Sequence, residues 1–459
     1  MQELKKKYGL FTAICMVVGI VIGSGIFFKA PDVLAKAGYN ALHTTLAWII
    51  SGLIMVIIAT TFAFMATKYE KVGGAVDYAE AMCGKKYGYY VGWFMSMVYY
   101  PAMTAVLAWL CARYTLVAMF GNDDRIFSTE CITIALFYLI ISYFINTMSP
   151  TIAGKFQIST TFVKLVPIAF IAIVGTVVGL VNGNLDANFH YHLVNEIVSD
   201  GKVGLFPAIC TTVFAYEGWI VATSINSEIK NSKRNLPLAL CIGAIIIVAA
   251  YTLYNLGILG LTGIDGLRAD GNTAAFKFFG NAAASVINVF VIISCLGTLN
   301  GLMLGGCRGI YSLAARGEGF DPETYAQVDK KTNMPHNSAI FSLMMCAFWF
   351  VYFVFFSAGV LPMGKVSNYV FDSSELPIIT LYALYIPMLI SMMIKEKEFG
   401  FVKRFVFPIL SLIGVGVIIY ASIDKHGMGN VWYLIVFGMI MLLAFVVSEI
   451  NKKRKTNNI

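Results

Sequence analysis

Long apolar blocks recur along the whole chain, each closed by charged residues or by glycine and proline. A block of about 20 apolar residues is what one helix needs to cross a hydrocarbon core of ~30 Å, so the pattern is one of repeated bilayer crossings. It predicts helices near residues 9–29, 43–67, 88–117, 128–147, 157–182, 203–226, 237–262, 282–312, 337–359, 370–394, 402–422 and 430–450. The chain reads as an all-α polytopic membrane protein with twelve transmembrane helices, and an even number of spans puts both termini on one side. The first block follows Lys5, Lys6 and Lys7 directly and has no small-residue cleavage site, so it is expected to remain as a span and not to leave as a signal peptide.

Of the 459 residues, 58% are hydrophobic and only 13% are charged, about half the usual share for a soluble protein. That excludes a cytosolic globule. Nine cysteines are scattered singly through apolar stretches, which gives neither a disulfide framework nor zinc-ligand spacing. Nothing calls for a metal or a cofactor. With the N-terminus inside, 22 basic residues fall in inner segments and eight in outer ones: Lys29, Lys36, Arg125, Lys202, Arg268, Lys277, Lys365 and Lys425. The positive-inside rule therefore favours a multi-pass cell-membrane protein with cytoplasmic N- and C-termini. The same asymmetry accounts for the net charge of +8, which leaves no argument for nucleic-acid binding. The five histidines (His43, His190, His192, His336, His426) sit in or beside loops and are expected to be solvated.

Three basic residues remain inside the blocks, and two of them, Arg113 and Arg308, lie near span ends where a long side chain can snorkel. Lys164 is different. It lies nine residues beyond Lys155, roughly 14 Å into the fifth span at ~1.5 Å per residue, where a charge needs interior partners.

Two spans carry interruptions. The first contains GIVIGSGIF at 19–27, in which two glycines flank Ser24 and weaken the helix at one point. Gly19 and Gly23 alone would read as close helix packing, but the adjacent GSG leaves backbone groups that hydrocarbon cannot satisfy. The sixth span contains FAYEGW at 214–219, with Glu217 and Gly218 at midspan. Broken helices at corresponding places in two halves of a chain point to a midplane substrate site. Free N–H groups of Ser24, Gly25 and Ile26 at the start of an outer half-helix suit a carboxylate, while freed carbonyls of Ile20, Val21, Phe214, Ala215 and Glu217 suit an ammonium. One zwitterion fits both poles. Tyr99, Tyr100 and Pro101 in the third span and Asn300 in the eighth are possible pocket-lining residues, although a tyrosine pair is also ordinary packing.

At these residues the chain resembles the amino acid-polyamine-organocation transporters and, within them, the L-amino acid transporter family. The motifs are GSGIF at 23–27, GGAVDYAEAMCGKKYGYYVGW at 73–93, FAYEGW at 214–219, NSEIKNSKRNLP at 226–237 and CLGTLNGLMLGGCRGIYSLAARGEGF at 295–320, and the resemblance spans about residues 9–340. It implies a leucine-transporter-type fold of two inverted five-helix repeats, residues 1–200 and 201–398, followed by two C-terminal helices and a cytoplasmic tail in 399–459. It implies that Ser24 and Gly25 hold the substrate carboxylate, that carbonyls of Val21, Phe214 and Glu217 hold its amino group, and that Phe214 gates the pocket. It implies for Lys164 the role of the fifth-helix lysine that replaces a sodium ion in related carriers and bridges the first helix to the eighth; a purely structural pairing with carbonyls is the other reading.

Three departures qualify the resemblance. Glu217 stands where relatives usually carry a small residue, and its carboxyl is open to three accounts: bonding freed backbone N–H groups, binding a proton, or pairing with a cationic substrate. The loop GNDDRIFSTE at 121–130 has no cysteine, so no disulfide-linked heavy chain is expected as a partner. Leu302 stands where arginine-type exchangers carry tryptophan, which points to small neutral substrates such as alanine, serine or cysteine. The expected function is alternating-access transport of neutral L-amino acids, by exchange. Proton-coupled or cationic amino acid transport is the alternative, and a channel or a non-transporting receptor is the rival class. An enzyme would need clustered side chains of complementary catalytic role, and the intramembrane polar groups are a lysine, a glutamate and glycine breaks.

Overall fold

Each of the twelve apolar blocks contains helix. The computed structural model describes residues 8–69, 74–121, 125, 128–148, 150–190, 203–332, 334–357 and 369–457. Lys5 to Lys7, Lys71, His192, Lys202 and Lys365, which entered the charge and histidine readings, lie outside the described residues. The first block is two helices, α1 (Leu10–Val21) and α2 (Ser24–Lys36), bent by 43°. There follow α3 (Ala41–Lys68), a short α4 (Ala75–Cys83), α5 (Lys85–Phe120), α6 (Thr129–Met148) and α7 (Gly154–Val181). The sixth block opens with α8 (Leu205–Thr212), and the rest of the chain supplies α9 (Ser232–Leu261), α10 (Asn281–Ala314), α11 (His336–Ser357), α12 (Leu376–Lys395), α13 (Val402–His426) and α14 (Met428–Lys453). The only β feature among the described residues is a bridge between Tyr8 and Ile229.

Among the described residues ten helices are long and apolar enough to cross a bilayer, or eleven crossings if α1 and α2 count as one. The sixth block is the one that differs from its prediction. After eight residues of α8 the chain leaves the α-helix at Val213 and resumes as a 3₁₀ segment, Trp219–Glu228, so neither piece has the length of a span. The cause is local: Gly218 sits at φ +106°, a left-handed conformation that no ordinary helix residue adopts.

Helix α9 lies along α3 and α1, and α5 lies along α10. Helices α7 and α9 cross on glycines: a Cβ on Gly175 would run into the Gly257 carbonyl, and one on Gly257 would run into the Ile171 carbonyl. Such small-residue crossings are how helices approach closely where lipid removes the hydrophobic drive. Helix α5 is interrupted by a π-turn over Met95–Tyr99 and is mostly buried, whereas α14 is largely exposed, with Leu434, Met439 and Leu442 facing outward. At one end of the bundle the Lys230 N–H donates to the Tyr8 carbonyl at 2.8 Å and Gly154 lies beside the Tyr8 ring, which joins the starts of α1 and α7 to the end of the 3₁₀ segment.

Candidate functional site

Helix α1 ends where the Ile22 N–H donates to Val18 at 2.8 Å, and Gly23, at φ −139° and ψ −138°, turns the chain out of the helix. The last carbonyls of α1 have no helical partner and take other donors. Lys164 Nζ, fully buried, donates to the Gly19 carbonyl at 2.6 Å and the Ile22 carbonyl at 2.5 Å, and lies 3.4 Å from Thr298 Oγ1 on α10. The midspan lysine thus caps the negative end of α1 and touches α1 and α10 together. The Tyr251 hydroxyl of α9 lies 3.1 Å from the Val21 carbonyl and 3.0 Å from the Ala215 carbonyl. It has one proton for two acceptors, so it ties the two breaks without saturating either carbonyl.

The second break packs directly on the first. A Cβ on Gly25 would lie 2.5 Å from Ala215 Cα, so only glycine fits there. Glu217 is 7% exposed; its Oε1 accepts a hydrogen bond from the Tyr99 hydroxyl at 2.7 Å, and the Gly218 backbone N–H also faces its carboxyl. Tyr382 of α12 stands near the same carboxyl and receives the Trp219 indole N–H at 3.4 Å.

Between the breaks lies a cavity of about 30 Å³, lined by Ile20, Val21, Gly23, Gly25, Phe214, Glu217, Gly218 and, from α5 and α10, by Tyr99, Met103, Leu107, Thr298 and Leu302. At ~10–15 Å³ per water that volume holds two or three waters, so an amino acid enters only when surrounding side chains move. Phe214 stacks edge-on against Phe28 at 6.2 Å, Phe28 does the same with Trp109, and the Arg113 guanidinium lies over both the Phe28 and Trp109 rings. Aromatic rings therefore close the cavity on the α2 side.

Of the residues singled out in the sequence, Val21, Gly25, Phe214, Glu217 and Leu302 stand on the cavity wall, and the main chain of Ser24 opens α2 beside it. Ile26 and Ala215 are buried and lie off the wall. Two expectations need correction. Tyr100 does not line this cavity: it packs on Gly305 and Gly306 of α10, because adjacent helical residues point about 100° apart and Tyr99 takes the inward direction. Asn300 does not line it either; it lies one layer away, where its Oδ1 receives the Asn146 amide at 2.9 Å. Sequence reasoning missed Tyr251 and Thr298, whose residue types carry no signal inside an apolar helix.

A third correction concerns charges counted as outer loop residues. Lys29 is 4% exposed and pairs with Glu375 at 2.6 Å. Glu375, fully buried just before α12, also takes Lys425 Nζ at 2.7 Å and lies 3.0 Å from His426 Nε2, so His426 is not a solvated histidine. Lys425 further donates to Thr211 of α8 at 3.0 Å. These groups end up inside because each is the counter-charge or hydrogen-bond partner of another from a distant span. Cys210, Glu375 and His426 offer three ligand atoms within 4.8 Å of one another. Two ammonium groups already neutralise that carboxylate, so the cluster suits a salt bridge better than a divalent cation.

A sequence profile of the amino acid permease family matches residues 8–451. Similar proteins include the serine/threonine exchanger SteT of Bacillus subtilis, 32% identical over 317 residues that make up 68% of this chain and 69% of that protein. The human b(0,+)-type amino acid transporter 1 is 29% identical over 340 residues, 72% of this chain and 68% of that one. The human cystine/glutamate transporter is 27% identical over 342 residues, again 72% of this chain, which spans 65% of that relative's length. With the matching profile running over nearly its full length, the chain belongs to the amino acid permease family.

Proposed function

We propose that this permease exchanges small neutral L-amino acids across the cell membrane by alternating access. The observation that carries the reading is the cavity between two facing helix breaks, with the first-turn amides of α2 on one side and the end of α1 with the 213–218 turn on the other. On this reading Ser24 and Gly25 amides take the carboxylate and carbonyls of Val21, Phe214 and Glu217 take the ammonium, while Ile26 and Ala215, off the wall, come into reach only as the breaks rearrange. Phe214 closes over the substrate. Lys164 couples occupancy to helix position through the carbonyls it holds. Met103, Leu107 and Leu302 leave room for a short side chain only, in keeping with a relative that exchanges serine and threonine.

The reading includes a leucine-transporter-type architecture of twelve spans, five-helix repeats over 1–200 and 201–398, two further helices in 399–459, and both termini in the cytoplasm. The excess of basic residues on that side supports the orientation. The carrier works without a disulfide-linked heavy chain, since the 121–130 loop has no cysteine to offer one.

The buried Glu217 carboxyl on the cavity wall favours a second reading, in which it binds a proton or a cationic substrate. Counterflow in proteoliposomes with a panel of L-amino acids tests the first reading: acceleration by internal alanine or serine supports it, and flux indifferent to internal substrate rejects exchange. Glu217→Gln separates the two. Unchanged neutral exchange with little pH dependence keeps the first reading; loss of a pH response, or of lysine and arginine uptake, selects the second.

A further inference from the structure

A second cavity, of about 20 Å³, lies between the first one and the bundle end at which Tyr8 meets Ile229. Ile20 lines both and so stands between them. The walls include Met16 of α1, Gln157 of α7, Val221 of the 3₁₀ segment, and Asn300, Leu304 and Gly305 of α10, so Asn300 lines this second cavity and not the first. Gln157 is 4% exposed, and neither its Oε1 nor its Nε2 has a hydrogen-bond partner. The amide is wedged between glycines: a Cβ on Gly19 would lie 2.9 Å from Nε2, and one on Gly301 would lie 3.5 Å from Oε1. Larger residues at either position would cover it.

A buried amide with donors and acceptor both unpaired is costly, and such groups are kept where something else pairs with them during the working cycle. The partner must offer an acceptor and a donor within one small volume. It must also tolerate the apolar surface of Met16, Val221 and Leu304. The head of an α-amino acid, a carboxylate beside an ammonium, has both, and its short side chain suits the walls. We infer that Gln157 forms a transit subsite for the transported amino acid, between the cavity at the helix breaks and the Tyr8 end of the bundle: Nε2 donates to the substrate carboxylate and Oε1 accepts from its ammonium. The inference rests on the exchanger reading and adds a second stop on the inward side. Nothing covalent happens there. The subsite lowers the barrier for passage past Ile20, and it opens as α1 and the 3₁₀ segment part from α7 and α10.

The test compares the two faces of the membrane. Wild type, Gln157→Leu and Gln157→Met are assayed for radiolabelled L-serine exchange in right-side-out and inside-out vesicles, alongside L-serine binding to the purified protein. In the variants, apparent KM on the Tyr8 face should rise roughly tenfold, the loss expected for hydrogen bonds to charged groups, and turnover should fall with it. KM on the opposite face and equilibrium binding should change less than about twofold. Equal KM changes on both faces, or wild-type kinetics in both variants, overturn the subsite and leave Gln157 as a group satisfied by water. Absence of any serine exchange by wild type, with other neutral amino acids equally inert, overturns the exchanger reading itself. Size-exclusion profiles of the variants identify misfolding, and the methionine variant, closer in length to glutamine, keeps the comparison alive if leucine disrupts packing.

Discussion

The two halves of the first span are held in unlike ways. The end of α1 rests on Lys164 and Tyr251, which meet only neutral oxygens, carbonyls and a hydroxyl. Helix α2 is held by Lys29 through the buried carboxylate of Glu375, which Lys425 and His426 share. When a competing donor takes its carbonyls, Lys164 leaves only neutral oxygens behind and has other neutral oxygens, such as the Thr298 hydroxyl, to turn to. A buried ion cluster has no such intermediate, because removing one member leaves the others uncompensated. The joint at the end of α1 is therefore built to be exchanged and the one on α2 to hold or release as a unit.

Four substitutions probe that contrast. The largest loss is expected for Glu375→Gln, which strands Lys29 and Lys425: about 3–5 kcal/mol of stability, read as a drop in thermal midpoint in detergent. Lys164→Met removes bonds from a charged group but leaves only neutral carbonyls behind, so it should cost about 1.5–3 kcal/mol and slow exchange more than it weakens substrate binding. A Lys164→Met protein as unstable as Glu375→Gln would erase the distinction. Tyr251→Phe deletes one hydroxyl shared by two carbonyls and should cost about 1 kcal/mol, with a measurable change in substrate affinity because both carbonyls border the breaks. The smallest effect belongs to Glu396, at the end of α12. Burial works against its charge, but the Lys68 ammonium and Tyr69 hydroxyl, at 2.8 and 2.6 Å, hold its carboxyl below the usual glutamate value. Its contribution is whole at neutral pH and is lost as pH falls through that lowered value, so the gap between wild-type and Glu396→Gln melting curves should narrow on acidification.

Much of this was legible in the chain because it rests on local chemistry. GSG can only be a weak point in a helix, and Lys164 lies too deep in an apolar block to be a loop residue. FAYEGW marked its break for the same reason, although the 3₁₀ continuation after Gly218 was not foreseen. What failed was information held in distant pairs. Lys29 lies six residues past Gly23 and looks like an outer-loop charge until Glu375, 346 residues on, is brought beside it. Tyr251 shows nothing in sequence to separate it from Tyr254, yet one ties two breaks and the other packs against Phe27. Tyr99 and Tyr100 look alike in the sequence, yet only Tyr99 reaches the cavity, because facing is set by helix phase and not by residue type.

The π-turn at Met95–Tyr99 sets that phase. A π-turn amounts to one extra residue threaded into an α-helix, so the stretch before it and the stretch after it obey two different rotational registers. Tyr99 stands at the seam, and its hydroxyl reaches Glu217 from there. Deleting a single residue from this turn would leave length and apolarity nearly untouched, yet it would turn one side of α5 by about 100° against the other. Tyr89 and Trp93, which donate to the Ala444 and Ile440 carbonyls of α14, could then not face their partners while Tyr99 faced Glu217. The third span behaves as two keys cut on one shank, and the inserted residue keeps both aligned with their locks.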